Sequence, residues 1–215
     1  MLPQIVSAAD YRDENIKDYI SNVPRNKEKN INILADYLAR PYKDDYDKAK
    51  SIAYWIASHI NYDRYLYNNG KTTKLFSYYQ GQQPKDLLKS RVGICGDFSE
   101  LFVSLCKSAG IKAYMVYGYA YPSNKSLTTK ILQNSGHAWN YFVYKNKKIY
   151  VDTTFMAKGA THISGRATNM NHRRALREVR LENRTSSQIN EFDSFYFDFS
   201  YSQEAKKRGY QHYER

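Results

Sequence analysis

One cysteine in this 215-residue chain stands at a glycine-flanked corner, in the stretch Gly93-Ile94-Cys95-Gly96-Asp97-Phe98-Ser99-Glu100-Leu101-Phe102. Downstream of it, Phe98, Leu101, Phe102, Leu105 and Ala109 recur at three- and four-residue steps, so a helix is predicted to begin at the cysteine. Gly110 closes that run where a left-handed residue is often needed. Asp97 and Glu100 put negative charge in the first turn, which suits the positive end of the helix dipole. Cys95 is thus expected at the helix N-terminus with backbone N–H groups near its sulfur, a setting that lowers a thiol pKa. A small side chain filling a tight corner is the plain alternative.

Thiol catalysis needs a thiolate, an imidazole that takes and returns a proton, and a third group that orients the imidazole. His137-Ala138-Trp139-Asn140-Tyr141-Phe142-Val143-Tyr144 and Lys148-Ile149-Tyr150-Val151-Asp152 flank Lys145-Asn146-Lys147, which is a hairpin pattern. With Asn146 and Lys147 as a two-residue turn, Lys145 pairs with Lys148, and Asp152 is expected opposite Trp139. His137 then lies on the same face, diagonal to Asp152 and within side-chain reach. A slip of one residue would turn Asp152 to the other face. Together a helix-start cysteine, a strand histidine and a neighbouring-strand aspartate say more than any one of them.

These groups need a scaffold. Ile31, Leu34, Ala35 and Leu38 mark an amphipathic helix that ends at Arg40-Pro41, since proline disfavours helix in the residue before it. Asp44 or Asp45 can cap a second helix, with Ala49, Ile52, Ala53, Ile56 and Ile60 on its apolar face and Trp55 nearby. His59 falls among them as a structural residue. Asn61 to Gln83 is polar and tyrosine-rich, with Asn68-Asn69-Gly70 as a turn. Pro84 to Leu88 reads as a short helix that leads to the Cys95 corner. Ile111 to Tyr121 is extended. Beyond Phe155 lies a basic stretch containing Arg166, Arg173, Arg174, Arg177, Arg180 and Arg184, read as a long loop with a short helix near 174–181. Phe195, Phe197, Phe199 and Tyr201 alternate with polar residues and Tyr196, which predicts a strand with one aromatic face buried. Residues 1–25 are weakly patterned and read as an extension, 26–202 as one domain and 203–215 as a charged tail.

The chain is long enough for one substantial core and short for two. Its 22 tyrosines are unusual, and its net charge is +12. Seven lysines and no acidic residue occur from Lys107 to Tyr150. A basic domain favours anionic partners, but no nucleic-acid motif is present and nucleic acid is not an expected partner. Cys95 and Cys106 would lie about 16 Å apart on one helix, too far for a disulfide, and Cys106 is expected in the core. No stretch has the apolar length of a transmembrane helix. The first residues carry no signal-peptide pattern, so the chain as written reads as cytoplasmic, or as exported where a leader has been removed. No cofactor and no metal ligand set is expected.

Gly93-Ile94-Cys95-Gly96-Asp97-Phe98-Ser99-Glu100-Leu101-Phe102, Ala109-Gly110-Ile111-Lys112-Ala113, Gly136-His137-Ala138-Trp139-Asn140 and Tyr150-Val151-Asp152-Thr153-Thr154 resemble the transglutaminase-like superfamily, nearest its bacterial and kyphoscoliosis-peptidase-like branch. The resemblance covers about Ile52 to Phe155. It implies a papain-like α+β fold, with N-terminal helices and the cysteine-bearing helix packed on an antiparallel sheet. It also implies a Cys–His–Asp triad and acyl transfer through a thioester. By position Cys95 is the nucleophile, His137 the general base and acid, and Asp152 the orienting residue. The family's upstream aromatic oxyanion donor corresponds best to Tyr62, with Gln83 a weaker match and Trp139 a pocket wall; packing roles suit Tyr62 and Trp139 equally. A peptidase or amidase acting on a peptide, protein or cell-wall amide is implied, with transamidation as a variant. No acidic cluster matches the calcium sites of animal transglutaminases, and their β-sandwich domains do not fit in this length. Members that have lost activity serve as binding modules, so a non-catalytic protein- or glycan-interaction module is the alternative.

Overall fold

Polar caps and apolar spacing together lay down the helical half of the molecule. The structure, a computed structural model, describes residues 8–63, 81–119, 136–158, 190–199 and 211–212. Helix α1 (Ala8–Ser21) comes first. Asn30 then accepts hydrogen bonds from the N–H groups of Asn32 and Ile33 and opens α2 (Ile31–Ala39). Asp44 does the same for Tyr46 at the start of α3 (Asp45–His59). Ala49, Ile52, Ala53, Trp55 and Ile56 of α3 are wholly buried. Both helices match the sequence expectation.

Helix α1 differs from it. Its sequence has few apolar residues, yet Ile16 and Ile20, one turn apart, are buried against the rest of the core. Polar contacts reinforce this docking: Asp13 of α1 accepts hydrogen bonds from Tyr54 (2.8 Å) and Lys50 (2.6 Å) of α3. Residues 8–21 of the expected extension therefore form a helix packed on α3. His59 stacks on Trp55 at 4.7 Å with its Nδ1 3.0 Å from the Trp55 carbonyl, a structural role as expected. Burial, helped by the nearby Arg91 guanidinium, holds its pKa down to about 3.

Next come β1 (Asn61–Tyr62), α4 (Pro84–Ser90) and β2 (Val92–Gly93), with β1 and β2 paired in parallel. Helix α5 (Cys95–Ser108) begins at once after β2 and buries Phe98, Leu101, Phe102, Leu105 and Cys106. It packs against β3 and β4 and also against α2 and α3, which makes it the central helix. Gly110, at φ +79°, closes it as expected. The sheet consists of β3 (Ala113–Tyr119), β4 (Gly136–Tyr144), β5 (Lys147–Val151) and β6 (Gln211–His212), all antiparallel in the order β5-β4-β3-β6. A four-residue helix, α6 (Thr153–Met156), follows β5. Helices on an antiparallel sheet are the α+β arrangement that the sequence implies. No helix among the described residues is long and apolar enough to cross a membrane.

Two local expectations fail. The β4–β5 turn sits one residue early, at Lys145-Asn146, both with positive φ (48° and 60°), so Tyr144 pairs with Lys147. This is the two-residue geometry whose twist fits a hairpin, and asparagine tolerates the left-handed region. Continuing from Asn140↔Val151, the observed register sets Asp152 level with Trp139. That is the expected level, reached through a different turn: counted from Asn146-Lys147, Asp152 falls level with Tyr141, so the expected turn and the expected pairing were two residues out of step. The shift is two residues, so the faces are unchanged. The second failure is the aromatic strand near Phe195. Ser194–Tyr196 is a 3-10 turn capped by Asp193, and Asp198 has φ 58°. Phe195 is exposed while Tyr196, Phe197 and Phe199 are buried, and pairing is reduced to a bridge between Phe197 and Val151. The expected turn at Asn68-Asn69-Gly70, the basic segment Arg166 to Arg184 and Tyr201 lie outside the described residues.

Because Ile16 has no solvent exposure, Ile16→Ala should lower the unfolding free energy by about 2–5 kcal/mol. Urea denaturation measures this, and an unchanged midpoint would mean that α1 is not part of the core.

Candidate active site

The corner before α5 is built around one carboxylate. Asp97, 2% exposed, accepts the Ile94 N–H with Oδ2 and the Gln82 N–H with Oδ1, both at 2.8 Å. A charged acceptor at the third helical position satisfies backbone donors that the helix itself leaves open. Gln82 is held in turn: its Nε2 donates to the Val92 carbonyl (2.7 Å) and its Oε1 accepts from Ser90 Oγ (2.8 Å). The chain has to pass very close to Asp97 at Gly93. A Cβ there would lie 2.8 Å from Asp97 Oδ2 and 2.9 Å from Leu87 Cδ1, so only glycine fits without a shift. Cys95, half-buried, takes the first position of α5, where backbone N–H groups have no intrahelical acceptor. Cys106 lies fully buried on the same helix, and both thiols are free.

The second half of the site comes from the sheet. His137 is near the start of β4, and its Nε2 is 2.7 Å from Asp152 Oδ2. Asp152 has no solvent exposure, and its other oxygen accepts the Phe155 N–H at 2.9 Å, so it also caps α6. Its own N–H donates to the Tyr196 carbonyl at 2.9 Å. With Nε2 on Asp152, Nδ1 is the ring nitrogen left to serve Cys95, which is near enough to help raise the His137 pKa. Burial disfavours the imidazolium and is the largest single influence. The Asp152 charge and hydrogen bond, with the Cys95 contact, outweigh it and push the His137 pKa up to about 10. The ring also stacks on Phe155 (4.3 Å, 10°) and Trp139 (5.8 Å, 22°), which restrict its rotation.

The structure thus brings Cys95, His137 and Asp152 together and sets Trp139 against the histidine, fully buried. Tyr62 is paired with Gly93 in the β1–β2 ladder, beside the cysteine corner, with its ring 6.5 Å from Phe98. Gln83 is not brought in: it is exposed at the α4 N-cap, and Gln82 is the glutamine that turns inward. Two contributors escaped the sequence reading. Phe155 lies three residues beyond Asp152, and a cap three residues upstream of an aromatic was its available signal. Buried Asn140 donates from Nδ2 to the carbonyls of Ser99 (3.1 Å) and Tyr114 (3.3 Å), tying β4 to α5 one turn beyond Cys95. Among the described residues no group of three or more His, Cys, Asp or Glu side chains could hold a metal ion.

A family model described as the transglutaminase-like superfamily matches residues 33–153. Kyphoscoliosis peptidase of Mus musculus is 26% identical over 129 residues, covering 58% of this chain and 18% of that protein. The Homo sapiens kyphoscoliosis peptidase is 26% identical over 127 residues, covering 57% of this chain and 17% of its own. The chain therefore spans less than a fifth of the length of these curated relatives. Among solved structures, the periplasmic domain of TgpA from Pseudomonas aeruginosa aligns at 16% identity with a TM-score of 0.43, covering 66% of this chain and 48% of that one.

Two measurements test this geometry. A Cβ at Gly93 must displace the buried Asp97 and Leu87 side chains, so Gly93→Ala should cost about 1–3 kcal/mol in a denaturant titration. For His137, the folded pKa is raised from 6.5 to about 10, so the folded state holds the proton more tightly than the unfolded one. Its contribution to stability is complete below about pH 6.5 and fades as pH rises toward about 10. The imidazole resonances in NMR should titrate far above the ordinary histidine range, and Asp152→Asn should bring the midpoint down; an ordinary midpoint in the native protein would refute the coupling.

Proposed function

Because the chain belongs to the transglutaminase-like superfamily, we propose that it is a cysteine-dependent acyl-transfer enzyme that hydrolyses peptide or related amide bonds. The family supplies the general type, a cysteine-dependent enzyme; the particular reaction and the residues that perform it are our reading. The observation that supports it is the bond of His137 Nε2 to a fully buried Asp152, with Cys95 close enough to the same imidazole to shift its pKa. In this reading the catalytic unit is the 26–202 domain, with α1 docked on it.

Asp152 receives the Nε2 proton of His137 as a hydrogen bond and so holds Nδ1 toward the thiol. The raised His137 pKa keeps the imidazole protonated and ready to give its proton to a leaving group. The Cys95 sulfur bonds to the carboxamide carbon, and the carbonyl π electrons move to oxygen. That oxyanion is met by the Cys95 backbone N–H at the helix start, with the Tyr62 hydroxyl as the candidate second donor. As the C–N bond breaks, Nδ1–H gives its proton to the departing amine and a thioester remains. Water then attacks the thioester while Nδ1 takes its proton, and C–S cleavage releases the acid and restores the thiolate. An amine in place of water completes a transamidation. The substrate class is a peptide, protein or cell-wall amide, and the basic charge of the chain favours an acidic one.

Two readouts decide the matter. In the native protein Cys95 should react with iodoacetamide near neutral pH much faster than free cysteine, and His137→Ala should slow turnover by about a hundredfold or more. Incubation with a peptide-amide library followed by mass spectrometry should trap an acyl group on Cys95, with no adduct in Cys95→Ala. A Cys95 as slow as free cysteine, with no acyl adduct, would instead favour a non-catalytic interaction module.

A further inference from the structure

The tyrosine excess is only partly used by the core and the site. Among the described residues, only Tyr54 and Tyr196 of the tyrosines are core-buried. Three of the others line up across the sheet. Tyr114 of β3, Tyr141 of β4 and Tyr150 of β5 are direct neighbours in register. Their rings lie 5.0 Å apart and stacked for Tyr114–Tyr141, and 6.0 Å apart and edge-on for Tyr141–Tyr150. Tyr114 is 46% exposed, while Tyr141 and Tyr150 are half-buried, with one side against the core and the Tyr150 ring 6.0 Å from buried Phe199. Lys148, exposed and on the same face of β5 as Tyr150, sets its ammonium 4.7 Å above the Tyr141 ring, and exposed Lys112 precedes Tyr114 by one step of the strand alternation.

Cross-strand ring pairs would stabilise any hairpin, and that alone explains neither the exposure of Tyr114 nor the cation set over Tyr141. An aromatic row with a positioned ammonium is complementary to an extended chain that alternates a ring-packing residue with an anion. The charge surroundings agree. No acidic residue occurs from Lys107 to Tyr150. Asp152, the next acid along β5, is buried on His137, and Asp198 beside Phe199 accepts from Tyr46. Three strands span about 10 Å, the length of about three extended residues. His137 is four residues from Tyr141 along β4, about 13 Å away, and fully buried Trp139 separates them. The row is a surface apart from the candidate active site.

We propose that the Tyr114–Tyr141–Tyr150 row with Lys148 is a docking surface for an acidic, proline-bearing peptide segment of a protein substrate or partner. The choice of a peptide over an acidic glycan rests on the acyl-transfer reading above; the surface itself does not.

The test uses the full chain carrying Cys95→Ala, so that its result is independent of catalysis, and a fluorescein-labelled (Glu-Pro)6 peptide followed by anisotropy. Binding is expected, with loss on raising salt. Tyr114→Ala and Lys148→Glu should each weaken it about tenfold, while Tyr117→Ala, 58% exposed on the opposite face by alternation, should leave it unchanged. Thermal unfolding of each variant shows that the fold is kept. No binding at millimolar protein, equal binding of (Lys-Pro)6, an equal loss in Tyr117→Ala, or preference for a sulfated oligosaccharide of the same charge would each overturn the proposal.

Discussion

Taking a carboxylate wholly out of water costs several kcal/mol unless partners replace the lost solvent. Asp152 is in that position, and much of the surrounding structure follows from it. One oxygen needs His137, which requires that β4 and β5 pair so that the two side chains meet. The other needs the Phe155 N–H, which starts α6 at the residue after Asp152. The backbone N–H needs the Tyr196 carbonyl, which draws the C-terminal aromatic segment onto the sheet. One buried charge thus joins the hairpin, a short helix and a chain segment more than forty positions away in sequence.

A second carboxylate organises the other half of the site. The sequence alone gives Asp97 the role of a helix-dipole partner, and it does sit in the first turn. Its burial changes the physics, because both oxygens are committed to backbone donors on two different segments. Gly93 is the counterpart of that commitment, since a side chain there would meet the carboxylate. The glycines that flank Cys95 are therefore not equivalent. Gly96 has nothing within 4 Å of where its Cβ would be, while Gly93 has no room for one.

What could be read from residues alone followed a physical pattern. Helices α2, α3 and α5 have apolar spacing and caps or closing glycines within their own sequence, so local rules sufficed. Helix α1 escaped because two isoleucines carry its docking and polar contacts from Asp13 supply the rest, which is tertiary information. The Cys95, His137 and Asp152 neighbourhood was legible because moving the turn by one residue shifts the pairing by two and leaves the faces of the strands unchanged. The turn itself was misplaced because Lys-Asn and Asn-Lys are near-equal choices until the register is known. Gln83 was the weaker match to the oxyanion donor, and no local signal in the sequence pointed to Gln82 as the glutamine that faces inward. Around Phe195 the alternation of aromatics was a true feature, but Asp193 and Asp198 supply a cap and a left-handed residue that prevent a regular strand.

Helix α5 carries two thiols of opposite accessibility, Cys95 half-buried at its start and Cys106 sealed in the core, where burial raises the thiol pKa well above its usual value. A molecule built this way counts its own opening. In the folded state a thiol reagent meets one sulfur; the second becomes available only when the central helix leaves the sheet. The rate at which the second label appears is then a clock for core opening, carried by the native sequence without an added probe.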